Sequence, residues 1–88
     1  MRIGVIGLGA MGLGIAQVFA QVGYQVTATD AQAPARESAR DRMAQALAPR
    51  VAKGAMTEGE RAAILSRLQI ASRLEEIAPS DLVIEAVV

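Results

Sequence analysis

The chain has no cysteine and no histidine. Without cysteine there is no disulfide framework, no thiolate nucleophile and no thiolate metal ligand. Without histidine the commonest general base and metal ligand are missing too, so the chain carries no His-centred catalytic site and no metal site is expected. Aromatic residues are scarce, limited to Phe19 and Tyr24, and nine basic residues balance nine acidic ones. With neither a stacking platform nor a basic cluster, the composition argues against nucleic acid or an anionic membrane surface as partner. No apolar run approaches the length of a membrane span, and a strand-like run begins at Arg2 and Ile3 where a cleavable leader would need its charged and apolar regions. A cytoplasmic or matrix-type compartment is the expectation.

What is present is a chain that is 52% apolar over 88 residues, a single small domain that buries only about two-thirds of its unfolded surface. With so few aromatics, its thin core must come from Ile, Val, Leu, Met and many alanines, which suits helices packed on a sheet. Arg2 to Ile6 is a short apolar run ended by Gly7, as in a strand buried on both faces. From Ala10 to Val22, Met11, Ile15, Val18, Phe19 and Val22 recur at spacings of three and four, which marks a helix stopped by Gly23. Tyr24 to Thr29 is a second strand that closes at Asp30. This strand, helix and strand form a parallel unit, and such units cross over right-handed.

Ala33 to Lys53 carries Ala39, Met43, Leu47 and Val51 at intervals of four, an amphipathic helix. Pro49 should bend it or end its regular hydrogen bonding, and Gly54 stops it. Thr57 and Glu60 form a capping box that opens a further helix through Ile64, Leu65 and Leu68. Gln69 to Ser72 reads as a third strand, Leu74 to Ile77 as a helical turn, Pro79 to Asp81 as a loop and Leu82 to Val88 as a final buried strand. The fold class is α/β: a Rossmann-type doubly wound parallel sheet of order 3-2-1-4, truncated after strand 4, with a two-helix insertion between strands 2 and 3.

The chemistry concentrates where the first strand meets the first helix. Gly7, Gly9 and Gly12 form a G-x-G-x-x-G pattern directly after a strand and opening a helix. Gly7 permits the tight turn, Gly9 admits a pyrophosphate without a Cβ in the way, and Gly12 lets the helix pack close to the strand. The helix-start N–H groups and dipole then favour the phosphates, and Gly14 adds a further small face. Asp30, eighteen residues beyond Gly12, is expected to accept hydrogen bonds from the adenosine ribose and to repel a 2′-phosphate, which makes the cofactor NAD. Arg36, considered as a 2′-phosphate ligand, reads instead as a surface charge.

The run Val5 to Gly12, continuing as Gly14 to Ala20 and Gly23-Tyr24, resembles the amino-terminal segment of the bacterial 3-hydroxyacyl-CoA dehydrogenases, the 3-hydroxybutyryl-CoA dehydrogenases among them. Ser80 to Val88 resembles that family's fourth strand, and the helical pair between Ala33 and Leu68 resembles its insertion. The resemblance implies NAD-dependent oxidation of (S)-3-hydroxyacyl-CoA to 3-oxoacyl-CoA in fatty-acid or related acyl-CoA metabolism. It assigns the cofactor to Gly7, Leu8, Gly9, Ala10, Met11, Gly12, Asp30 and Ala86. It places Lys53 near the CoA phosphates, although Lys53 also reads as a cation complementing a helix C-terminus. The family's catalytic His and Glu, with their Ser and Asn helpers, come after the fourth strand, so this chain alone is expected to be inactive. A dehydrogenase of the 3-hydroxyisobutyrate or 6-phosphogluconate type, which shares the G-L-G-x-M-G opening, and a non-catalytic nucleotide-binding module remain as alternatives.

Besides an acyl-CoA substrate in the full-length parent, the expected partner is a second copy of the chain. The last strand is left with an apolar unpaired edge, a template for pairing, and a two-fold dimer is the simplest closed form. Light scattering coupled to size exclusion should show mass rising with concentration, and a clean monomer at high micromolar concentration would refute the exposed-edge argument.

Overall fold

The computed structural model describes residues 1–86 of the chain. Four strands, β1 (Arg2–Ile6), β2 (Gln25–Thr29), β3 (Leu68–Ile70) and β4 (Leu82–Glu85), form one sheet in the order β3-β2-β1-β4. Every pairing is parallel, with Ile3 opposite Val26 and Leu82, and Val5 opposite Ala28 and Ile84. The expected strand order is therefore the observed one.

Helix α1 (Ala10–Val22) joins β1 to β2, and helices α2 (Ala33–Ala52) and α3 (Glu58–Ser66) join β2 to β3. Ile3, Val5, Val26, Ala28 and Leu68 from the sheet are fully buried with Ala16 and Ala20 of α1 and Ala39, Met43 and Leu47 of α2. Alanine supplies much of this core because the helices lie close to the strands. The other face of β1 is covered by the 3₁₀ turn at Leu74–Ile77. There a Cβ on Gly4 would stand 2.6 Å from Ile77 Cγ2 and 2.7 Å from Ser80 Oγ. Gly4 is thus a packing requirement, and β1 is buried on both faces as expected.

Of the stripe that marks α1 as a helix, only Ile15 and Phe19 pack against the core, and both are half-buried. Gly12, Leu13, Ala16 and Ala20 face inward, while Val18 and Val22 are 58% and 69% exposed. A helix pressed against a strand can place only small side chains between the two backbones, so the larger ones are carried on the outside. Gly14 makes no close packing, since a Cβ there would meet nothing within 4 Å. In α2 the four-residue interval advances about 40° per step around the helix, and the buried series accordingly stops at Leu47, leaving Val51 half-buried.

Helix ends follow local rules. Gly23, at φ 115°, closes α1 with its N–H on the Ala20 carbonyl and the Tyr24 N–H on that of Phe19. The Phe19 and Tyr24 rings, 5.9 Å apart, make the apolar contact that accompanies this closure. Gly54 ends α2 the same way, with Gly54 N–H on Val51 and Ala55 N–H on Arg50. Pro49 does not end α2, which continues to Ala52. Placed in the last turn, proline removes one donor whose loss the Gly54 closure outlasts. Thr57 and Glu60 form the capping box, each bond 3.0 Å.

Several boundaries differ from the sequence-based expectation, and β3 ends at Ile70 rather than Ser72. Leu68 begins β3 rather than ending α3, because Val26 opposite it draws the chain into the sheet. Tyr24 belongs to the closure of α1, not to β2. The last strand is not buried: Leu82 and Val83 are 45% and 44% exposed, β4 pairs with β1 alone among the described residues, and it ends at Glu85. Val87 and Val88 lie outside the described residues.

A Cβ on Gly12 would fall 1.7 Å from the Gly7 carbonyl oxygen, a backbone atom with nowhere to go, whereas a Cβ on Gly9 would meet nothing within 4 Å. Gly12→Ala should therefore cost about 3 kcal/mol of stability and Gly9→Ala no more than about 0.5 kcal/mol in urea unfolding followed by circular dichroism. Equal costs would remove the helix-on-carbonyl contact as the constraint.

Candidate dinucleotide site

The site lies at the carboxyl ends of β1 and β4, where the chain leaves the sheet centre in opposite directions, the place at which open α/β sheets hold ligands. Gly7, at φ 107°, turns the chain out of β1 and donates its N–H to the Thr29 carbonyl at 2.8 Å. Gly9 is the N-cap of α1 with φ −72° and ψ −170°, and no side chain caps the helix. The first intrahelical bond runs from Leu13 N–H to Gly9 C=O, 3.0 Å. The N–H groups of Ala10, Met11 and Gly12 thus have no acceptor within the helix, and Ala10 and Met11 are exposed. A positive helix end with open donors and a space where Gly9 lacks a side chain suits an anion such as a pyrophosphate.

Ala86 joins this group. Its N–H donates to the Ile6 carbonyl at 2.7 Å, and its Cβ lies 3.4 Å from where a Gly12 Cβ would be. Leu8 is present as backbone only in the functional sense, its side chain being fully buried in the core.

Asp30 stands at the end of β2 beside the loop. Its Oδ2 accepts from Leu8 N–H at 2.7 Å and its Oδ1 from Gln32 N–H at 2.8 Å. These two bonds hold its carboxyl below the usual aspartate range, with the Arg36 and Arg42 charges assisting and burial opposing. Each oxygen keeps a second lone-pair direction for a ribose hydroxyl. Asp30 also lines a cleft of about 270 Å³ with Ile6, Thr29, Ala31, Arg36, Ser72 and Leu74. Arg36, read from the sequence as a surface charge, is half-buried: its guanidinium donates to the Asp30 carbonyl at 2.7 Å and forms one wall of that cleft.

Lys53 is not brought into this group. It follows α2 as its C-cap and is exposed, at the far end of a 20-residue helix that spans about 30 Å. Arg42, passed over in the sequence, does reach the loop, donating from Nη2 to the Leu8 carbonyl at 2.8 Å. Its only local signal is Ser38 four residues earlier, to whose Oγ its Nε donates at 3.0 Å. The contact with Leu8 spans 34 positions and leaves no local trace.

Comparison with known proteins places this geometry. Residues 2–88 match the family model described as 3-hydroxyacyl-CoA dehydrogenase, NAD binding domain. The chain is 39% identical over 87 residues to a 3-hydroxybutyryl-CoA dehydrogenase of Mycobacterium tuberculosis, covering 99% of this chain and 30% of that protein. It is 40% identical, with the same coverage, to one from Bradyrhizobium diazoefficiens. The structure of (S)-3-hydroxybutyryl-CoA dehydrogenase from Ralstonia eutropha superimposes with a TM-score of 0.93 at 32% identity, over 99% of this chain and 31% of that one. The chain thus spans under a third of the length of these relatives.

Because the Asp30 carboxyl is lowered in the folded chain, its contribution to stability is complete above the ordinary value of about 3.9 and is lost as pH falls through the lowered one. The stability advantage of the native chain over Asp30→Asn should therefore be full at pH 6 and shrink toward pH 2 in chemical denaturation. An advantage that does not change with pH would show that the Leu8 and Gln32 bonds do not depend on the charge.

Proposed function

Since the chain belongs to the 3-hydroxyacyl-CoA dehydrogenase NAD-binding family, we propose that it is the dinucleotide-holding portion of an enzyme that oxidises (S)-3-hydroxyacyl-CoA to 3-oxoacyl-CoA. When bound, NAD would supply the acceptor for the hydride of the carbinol C–H bond, and the hydroxyl proton would go to a base. NAD is the cofactor of this domain. The observation that carries the reading is the uncapped start of α1 beside Asp30. Pyrophosphate there would take the open N–H groups of Ala10, Met11 and Gly12, and the adenosine ribose would take the free lone pairs of Asp30. Gly7, Leu8, Gly9 and Ala86 would shape the floor of the site.

The side chain that most often serves as such a base is missing. Histidine is absent, and Lys53, the only lysine, is at the far end of α2. We assign Lys53 to the CoA phosphates of the substrate, and the names of the relatives, 3-hydroxybutyryl-CoA dehydrogenases, support acyl-CoA metabolism as the setting. The chain alone should not turn over 3-hydroxybutyryl-CoA with NAD.

Calorimetric titration with NAD and NADP tests the cofactor site. NAD should bind more tightly, and Asp30→Ala should narrow the ratio of the two affinities about tenfold, as expected for a hydrogen bond to a charged group worth about 1.5–3 kcal/mol. A ribose role changes this ratio, whereas a purely loop-holding role weakens both cofactors alike. Equal weakening would sink Asp30 as the ribose acceptor. In a parallel titration Lys53→Ala should weaken CoA binding, and unchanged affinity would return Lys53 to the role of a helix-end cation.

A further inference from the structure

Glycine at position 9 creates a problem as well as an opening. The missing Cβ that leaves room for a phosphate also leaves the Leu8–Gly9 peptide unusually free to rotate, because glycine accepts backbone angles that other residues do not. A peptide is planar and trans, so its C=O and N–H point in opposite directions. If this one turned over, a carbonyl oxygen would take the place of the Gly9 N–H and add negative charge beside an anion site. The usefulness of the loop depends on something that stops that turn.

Arg42 is placed to do so. Side chains on a helix lean toward its N-terminus, and the Arg42 side chain runs back along α2, its Nε on Ser38 Oγ at 3.0 Å and its Nη2 on the Ala35 carbonyl at 3.0 Å. These two bonds fix the guanidinium, and the same Nη2 donates to the Leu8 carbonyl at 2.8 Å. One peptide earlier, the Leu8 N–H is held by Asp30 Oδ2 at 2.7 Å. Leu8 is therefore gripped on both sides, by a carboxylate from the end of β2 that accepts from its N–H and by a guanidinium from α2 that donates to its C=O. With the Leu8 carbonyl tied to α2, the Gly9 N–H must face away from α2.

We infer that Arg42 is a positioning residue for the cofactor loop, holding the Leu8–Gly9 peptide in the orientation that keeps the loop receptive to a pyrophosphate. It makes the helical insertion between β2 and β3 part of the cofactor site through a side chain whose partners are Ser38, Ala35 and the Leu8 carbonyl. The inference deepens the dinucleotide reading and rests on it for the identity of the ligand, but not for the state of the loop.

The test compares the native chain with Arg42→Ala and Arg42→Lys, the latter keeping the charge and one donor while giving up the planar fork that engages Ser38 and Ala35 together. Without any ligand, amide hydrogen exchange at Leu8, whose N–H is held by Asp30, should speed up about tenfold in Arg42→Ala, while Ile3, Val5 and Val26 in the sheet keep their native protection. Calorimetry should show NAD and ADP, which carry the pyrophosphate, bound about tenfold more weakly, with adenosine affinity unchanged and Arg42→Lys intermediate. Unaltered loop exchange in Arg42→Ala overturns the inference. So does a loss of protection shared by sheet and loop, or an equal loss of affinity for NAD, ADP and adenosine, since a general loosening of the domain would produce either. Should the native chain bind none of the three, the dinucleotide reading falls, and loop exchange alone decides the role of Arg42.

Discussion

The structure depends on a contact between two backbones. Helix α1 starts so close to the end of β1 that a single methyl group at Gly12 would overlap the Gly7 carbonyl. That closeness sets the height of α1 above the sheet, and the height in turn selects the residues beneath it. Only Gly12, Leu13, Ala16 and Ala20 are buried along the helix, so three of the four buried residues are glycine or alanine. It also aims the uncapped N–H groups of the first turn along the carboxyl end of the sheet, where Asp30 and Ala86 arrive from neighbouring strands. One steric requirement thus fixes both the packing of the core and the geometry of the anion site.

A second kind of bond holds what lies outside that contact. Arginine guanidinium groups from the insertion and its flanks donate to backbone carbonyls: Arg40 to Leu65 and Leu68, Arg61 to Ala44, Arg67 to Ala20 and Arg42 to Leu8. Helix ends leave carbonyls without intrahelical partners, and a charged donor on a long apolar stem can satisfy one while its stem covers apolar surface. In a domain with two aromatic residues and a core rich in alanine, such links join the α2–α3 pair to the sheet where large side chains are lacking. The balanced net charge conceals this, since most of these arginines pair with carbonyl dipoles, and the only ion pair among the described residues is Arg61 with Glu58.

What could be read from the sequence follows from the distance over which each feature is determined. The glycine loop, the Gly23 and Gly54 closures and the Thr57–Glu60 capping box are each complete within a few residues, and all are legible. The start of β3 at Leu68 is decided by pairing with Val26, which local helical pattern cannot anticipate, so α3 ends two residues before that pattern does. The apolar stripe of α1 identifies the helix, but which face is buried is settled by the strand it meets, and of that stripe only Ile15 and Phe19 pack against the core. Arg36 and Arg42 were illegible because their partners, the carbonyls of Asp30 and Leu8, are backbone atoms with no residue-type signature.

The same distinction divides the candidate site into two layers. The donors aimed at an anion come from one local segment, Gly7 to Gly12, and any chain with that pattern after a strand would present them. What orients the segment is not local: Asp30 arrives from β2 and Arg42 from the middle of α2. A glycine loop is soft by composition, and the two flanking bonds at Leu8 come from elements anchored in the core through Val26, Ala28, Ala39 and Met43. Stiffness reaches the loop from the buried sheet and helix through one carboxylate and one guanidinium. Substitutions in α2 that shift Met43 within the core would therefore reach the cofactor loop through the neighbouring Arg42 as well as the sheet beneath.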